Sequence, residues 1–176
     1  MGSRLLLGLL ACFCLGAGRP VLLGTVLRVV DGDTLVVRLS SGTIRVRLYG
    51  IDAPEHNQPG GFEATAALKS LVGNARVDIE PVSQDRYNRM VARVLRGRLD
   101  VNAEMIRLGD AWVYRHYLRR EDYGWCALER EARQAHRGLW ADPKPLPPWD
   151  FRHHTPSEAM PACPWPGSKK YERGAE

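Results

Sequence analysis

Five β-rich segments, three helix-patterned segments and tight polar turns between the first three strands predict an α+β fold: a five-stranded β-barrel of the OB type carrying three helices. The first run, Val21 to Val30, is dense in β-branched and aliphatic residues and ends at Asp31-Gly32-Asp33, a turn sequence. Thr34 to Leu39 alternates Leu35, Val37 and Leu39 with residues for the other face, and Ser40-Ser41-Gly42 reverses the chain again. Thr43 to Ile51 repeats the period of two through Ile44, Val46 and Leu48, so the three runs read as an antiparallel meander. Shorter strands are expected at Ala75 to Val82 and Met90 to Leu95. Helices are expected from Phe62 to Val72, from Val101 to Leu108 with Gly109 as the stop, and from about Arg120 to Arg137 with Gly138 as the stop. In the last of these Trp125, Leu128, Ala132, Ala135 and Leu139 recur at three- and four-residue steps, which predicts one buried face.

The chain of 176 residues suits one domain with flanks. Arg4, an apolar run from Leu5 to Leu15 and the small residues Gly16, Ala17 and Gly18 have the layout of a signal peptide, assigned to residues 1–18. About eleven apolar residues fall short of the roughly twenty that cross a bilayer core, so no transmembrane span is expected in the mature chain. A secreted or periplasmic protein is the expectation. Leu9-Leu10-Ala11-Cys12 loosely fits a lipid-attachment box, which keeps anchoring through Cys12, or through an uncleaved signal, as the alternative. The domain itself is placed at residues 20–141. From residue 142 to 176 the composition turns to proline and reads as a tail, in which Trp149 and Phe151 either pack on the barrel or stay loose. His153-His154 reads as a solvated pair rather than a metal site. Without the first eighteen residues only Cys126 and Cys163 remain. In an oxidising compartment they either pair, closing a loop of about 37 residues, or stand as one buried and one free thiol. No stable protein partner is implied, and a monomer is expected.

A formal net charge of +5 and a pI near 9.2 favour an anionic partner, but the basic residues are spread along the chain and not gathered in one run. Three polar clusters say more. Asp31-Gly32-Asp33-Thr34 alone is an ordinary hairpin turn. In Arg47-Leu48-Tyr49-Gly50-Ile51-Asp52-Ala53-Pro54-Glu55 the period of two sets Arg47 against Leu48, and Asp52 and Glu55 follow at the end of the same strand, at a barrel mouth. Asp85-Arg86-Tyr87-Asn88-Arg89 is a polar loop between two apolar runs. Taken singly, the second and third are surface ion pairs of little energetic worth. Together they hold the parts for phosphodiester hydrolysis. Hard oxygen donors without His or Cys point to calcium or magnesium, guanidinium groups grip phosphate by paired hydrogen bonds, and a spare carboxylate can take a proton from water.

These three clusters, together with Val101-Asn102-Ala103-Glu104-Met105-Ile106-Arg107-Leu108-Gly109 and Arg137-Gly138-Leu139-Trp140, resemble the staphylococcal nuclease (thermonuclease) family over roughly Gly24 to Ala141. The resemblance implies a calcium-dependent nuclease that hydrolyses DNA and RNA and leaves 3′-phosphate and 5′-hydroxyl ends. It implies that Asp33, Asp52 and the backbone carbonyl of Ala53 hold Ca2+, with Asp31 beside them. Glu55 would activate the attacking water, and Arg47 and Arg89 would hold the phosphate. Tyr87 would contact substrate and Tyr117 would stack on a base, with Tyr114 and Trp112 close enough in sequence to compete for that role. The sequence departs from the family in the short, lysine-free loop His56 to Gly61 and in Asn88, which stands where glycine is common. Asn tolerates a left-handed backbone better than most residues. The alternative is a catalytically weak nucleic-acid-binding module of the same fold. Such a module should lack several of Asp33, Arg47, Asp52, Glu55 and Arg89, and all five are present. A plain OB-fold strand binder has no use for an acidic cluster, because carboxylates repel phosphate unless a cation intervenes.

Overall fold

A computed structural model describes residues 20–153 and Cys163. The expected signal segment, residues 154–162 (His154 among them) and residues 164–176 lie outside the described residues.

Strands β1 (Leu22–Asp31), β2 (Thr34–Leu39) and β3 (Gly42–Leu48) form the expected antiparallel meander. Two-residue reversals join them, with Asp31 paired to Thr34 and Leu39 paired to Gly42. The alternation turns Leu35, Val37, Val46 and Leu48 inward, where all four are buried. After β4 (Ile51–Asp52) and helix α1 (Gly61–Val72), strand β5 (Arg76–Gln84) pairs with the start of β1 and turns back into β6 (Met90–Arg96). The barrel closes where β6 runs parallel to β3, with Val46 opposite Met90 and Leu48 opposite Ala92. The five strands thus close in the order β1-β2-β3-β6-β5, which is the predicted OB-type barrel. Alternation marks faces and not partners, so the parallel seam could not be read from the sequence. A short β7 (Leu99–Asp100) extends β6, and β4 pairs with β8 (Trp112–Val113) in a separate ladder.

Helix α1 buries Ala64, Leu68 and Val72 at four-residue steps against the barrel. Helix α2 (Val101–Leu108) starts at Asp100, whose carboxylate accepts from the Ala103 N–H at 3.1 Å, and stops at Gly109 with φ 83°. Its Asn102 is fully buried. Oδ1 accepts from the Val94 N–H at 3.0 Å while Nδ2 donates to the carbonyls of Tyr49 at 2.9 Å and Ala92 at 3.2 Å. Those bonds join α2 to β6 and to the corner between β3 and β4, so the segment leading to Asp52 is held by a satisfied polar group in the core.

The third helix is shorter than the periodicity predicts. Helix α3 covers Trp125–Gln134, with a 3-10 turn at Arg120–Asp122 before it and another at Gly138–Ala141 after it. His136 takes a left-handed φ of 49° and Arg137 is extended, so the expected face through Ala135 and Leu139 does not form. The buried residues are Trp125, Cys126, Glu129 and Ala132. The cause is a backbone-to-backbone contact. The Leu139 N–H donates to the Gly109 carbonyl at 2.9 Å, and a Cβ on Gly138 would lie 2.6 Å from that same oxygen. Docking onto the end of α2 turns the chain out of helix, and local pattern carries no trace of it.

A fourth helix, α4 (Pro148–His153), occupies the start of the segment read as a proline-rich tail. Pro148 begins it, at the one helical position where a missing N–H costs nothing. Trp149 is buried, stacked on Tyr114 with ring centroids 5.9 Å apart and edge-on to Trp112 at 5.4 Å. Gln58 adds a side-chain bond to the Leu146 carbonyl at 2.6 Å. Farther along, Cys163 is joined to Cys126 of α3 by a disulfide with Cα atoms 5.9 Å apart. No described helix is long and apolar enough to cross a membrane.

Candidate active site

A cleft of about 980 Å³ lies at one end of the barrel, lined by Asp33, Arg47, Asp52, Glu55, Tyr87 and Arg89 among others. Ala53 and Tyr117 border it as well. The residues singled out from sequence therefore converge, although they come from separate segments: the β1–β2 turn, β3, β4 with the loop after it, the β5–β6 loop and the loop after β8.

Local packing fixes the acids. A Cβ on Gly32 would fall 2.6 Å from the Ala53 Cβ and 2.7 Å from the Ala64 Cβ, so only glycine lets the hairpin tip rest against α1 and the residue that follows β4. Asp33 beside it is buried. Its Oδ2 accepts from the Ala53 N–H at 3.0 Å, its Oδ1 accepts from the Thr34 hydroxyl at 3.1 Å, and its own N–H donates to Asp31 at 3.0 Å. Asp52 is held by the β4–β8 ladder opposite Trp112, with 1% of its side chain exposed.

Arg47 lies between these two carboxylates, with Nη1 2.5 Å from Asp33 Oδ2 and Nη2 2.7 Å from Asp52 Oδ1. The Nη2 contact is an aligned hydrogen bond. The Nη1 contact is ionic without alignment, and Nη1 is buried with no hydrogen-bond acceptor among the described residues. Burial alone would weaken the charge on Arg47, but Asp33, Asp52 and Asp31 outweigh it and hold the guanidinium more firmly protonated than usual. A guanidinium set between two acids in the cleft wall suits an incoming anionic oxygen once a cation offsets those acids.

Burial is also the main cause that lifts the Asp33 pKa to about 7; Arg47 opposes it, and Asp31 and Asp52 add to it. The folded chain therefore binds the Asp33 proton more tightly than the unfolded chain does. Its contribution to stability is complete below the ordinary carboxylate pKa near 4 and is lost as pH rises through about 7. In metal-chelating buffer, the urea midpoint of the parent protein should fall between pH 4 and 7 relative to that of Asp33→Asn. Parallel curves for the two proteins would remove Asp33 as the titrating group.

Arg89 is held by Asp85, which accepts from its N–H at 2.9 Å and its Nε at 2.7 Å. Partial burial would raise the Asp85 pKa, yet the bonds from Arg89 and Tyr87 outweigh it and keep the carboxyl below its ordinary range. Asn88 adopts φ 61°, the left-handed conformation that the family's common glycine would supply, and its Oδ1 accepts from Gln84. Arg89 thus takes its bearing from its own loop and not from the Asp33–Arg47–Asp52 group. Tyr87 and Tyr117 are exposed by 64% and 66%. Trp112 is buried against Trp140 and Trp149, so it offers no platform to a base, while Tyr114 lies under Tyr117 with centroids 5.2 Å apart.

Arg152 of α4 also enters the cleft, and the sequence reading missed it. It donates through Nη2 to Asp52 Oδ2 at 2.7 Å and through Nη1 to Asp52 Oδ1 at 3.2 Å and Glu55 Oε1 at 2.7 Å. The signal was Pro147-Pro148-Trp149, a helix start followed by a large anchor, submerged in the proline-rich composition.

Among the described residues, no three His, Cys, Asp or Glu side chains already form a metal-ligand group. The donor chemistry nevertheless fits a hard cation. Asp33 and Asp52 are close enough for one guanidinium to bridge them, and Asp52 and Glu55 are close enough for another.

The family model for staphylococcal nuclease homologues matches residues 45–142, more than half of the chain. An "Uncharacterized endonuclease" of Escherichia coli O157:H7 is 45% identical over 131 residues, covering 74% of this chain and 84% of that protein. A "Micrococcal nuclease" of Shigella flexneri is 38% identical over 138 residues, covering 73% and 79%. An "Uncharacterized endonuclease" of Haemophilus influenzae is 36% identical over 129 residues, covering 72% and 71%. An OB-type barrel whose mouth interleaves acids and arginines, with these relatives, defines a nuclease, a phosphodiester hydrolase. The chain belongs to the staphylococcal nuclease homologue family.

Proposed function

We propose that the protein is an exported, calcium-dependent nuclease that cleaves DNA and RNA to leave 3′-phosphate and 5′-hydroxyl ends. The observation that carries this reading is Arg47, a half-buried guanidinium that bridges two buried carboxylates in the wall of the cleft. Asp33, Asp52 and the Ala53 carbonyl would hold the ion. Calcium would supply positive charge that offsets the acids and polarises the phosphate. Arg47 and Arg89 grip the phosphate oxygens and stabilise the charge that develops on them. Glu55 takes a proton from water. The water oxygen bonds to phosphorus, the bond to the 5′ oxygen breaks, and that oxygen takes a proton from solvent to leave as a hydroxyl while the phosphate stays on the 3′ side. Tyr87 and Tyr117 offer exposed rings for bases to stack on.

Hydrolysis of DNA and RNA by the purified mature chain should require calcium, be weaker with magnesium and fall to background in chelator, and calcium should raise the melting temperature. Undiminished cleavage in excess chelator would exclude the metal from the reaction.

Export is supported by the Cys126–Cys163 disulfide, a bond favoured in oxidising compartments. Removal of residues 1–18 as a signal leaves a mature domain followed by its tail, with an N-terminus near Arg19. Sequencing the N-terminus of protein recovered outside the cytoplasm should find it there. An intact Met1 would sink the cleavage, and a lipid on Cys12 would favour anchoring.

A further inference from the structure

Arg152 reaches across 100 residues of sequence to Asp52 and across 97 to Glu55, and it occupies both oxygens of Asp52. A side chain 36% exposed has no need of such partners, since water would serve. Its helix is fixed independently of it: Trp149 is buried among Trp112, Tyr114 and Trp140, and Gln58 holds Leu146. The guanidinium is therefore delivered to the cleft by a docked element and does not wander there.

The consequence is a conflict over lone pairs. Asp52 Oδ1 accepts from both Arg47 and Arg152, Asp52 Oδ2 accepts from Arg152, and Glu55 Oε1 accepts from Arg152 as well. A divalent ion held by Asp52 needs oxygens already committed to Arg152, and the same guanidinium ties down the Glu55 carboxylate. Resting on the metal reading given above, we infer that Arg152 is a positioning residue of the carboxylate site: it acts as a built-in counter-cation that competes with the divalent ion for Asp52 and restrains Glu55. Metal binding moves the guanidinium off Asp52, and the same displacement frees Glu55 for its water. The C-terminal helix thereby sets the metal concentration at which the site becomes competent.

The test is titration of the full mature chain with calcium by calorimetry, and with terbium by luminescence, for the parent, Arg152→Gln, Arg152→Lys and Trp149→Ala. Arg152→Gln should bind calcium at least tenfold more tightly than the parent, and its melting temperature in chelator should drop while its circular dichroism stays parental. Lysine keeps a charge without the two-pronged fit and should fall between them. Trp149→Ala, which undocks the helix and leaves Arg152 intact, should move affinity in the same direction as Arg152→Gln. Equal or weaker calcium binding by Arg152→Gln, with the parent binding normally, overturns the role given to Arg152 and leaves the metal reading standing. Failure of parent and variants alike to bind either ion overturns the metal reading, and this inference with it.

Discussion

Arg47→Lys should lower calcium-dependent turnover by about 10² to 10³, the usual loss when one well-placed electrostatic group is removed from a reaction that develops charge. Lysine keeps the positive charge but cannot contact Asp33 and Asp52 together while presenting further N–H groups to a phosphate. Arg47→Met should do this and more. A surface arginine at a strand end would leave stability alone, but Arg47 is a half-buried cation between two buried acids, and removing it leaves, among the described residues, Asp33 with no cation and Asp52 with Arg152 alone. Breaking a buried pair from one side typically costs ~3 kcal/mol or more. The methionine variant should therefore unfold at lower urea in chelator, and calcium should restore part of the loss. The two measurements are kcat on a defined oligonucleotide and the urea midpoint with and without calcium. A lysine variant with near-parental kcat would dismiss two-pronged phosphate binding. A methionine variant as stable as the parent in chelator would show that the acids are neutralised in some other way.

How much of this was legible beforehand depended on whether the information was local. The meander and its inward residues Leu35, Val37, Val46 and Leu48 follow from alternation, and the two-residue turns follow from Asp31-Gly32-Asp33 and Ser40-Ser41-Gly42. The three polar clusters could be listed, but convergence depends on the parallel β3–β6 seam, which sets the Arg89 end of β6 beside the stretch of β3 that carries Arg47. A seam whose partners, such as Val46 and Met90, are 44 residues apart leaves no mark on either strand. Helix α3 failed for a similar reason, since its end is decided by Gly138 meeting Gly109. Arg152 was hidden differently. A composition rich in proline read as a tail in which Trp149 and Phe151 either pack or stay loose, whereas Pro148 and Trp149 begin a short helix that docks and carries an arginine to the acids. The average over the segment left the packing of Trp149 open and gave no sign of Arg152.

Glu55→Gln is expected to cut turnover by about 10² to 10⁴, the range that a positioned general base contributes, with little change in fold. Glu55 is 38% exposed, its bond to Arg152 can pass to the amide oxygen of glutamine, and its backbone N–H keeps its bond to Gln58 at 3.1 Å. The variant should therefore melt within a few degrees of the parent. Calcium binding separates the two roles open to a carboxylate at this place. If Glu55 serves as base, the variant binds the ion about as well as the parent and fails only in the proton transfer. If Glu55 serves as a ligand, affinity falls together with rate. Product ends add a second discrimination. Residual cleavage by Glu55→Gln should still leave 3′-phosphate and 5′-hydroxyl ends, because Arg47 and Arg89 continue to orient the phosphate and the leaving group is unchanged. The decisive set is kcat, calcium affinity, melting temperature and end analysis on one labelled oligonucleotide for parent and variant. Near-parental turnover in a folded, calcium-binding variant would remove Glu55 from proton transfer, and 5′-phosphate products from the parent would reverse the direction of attack.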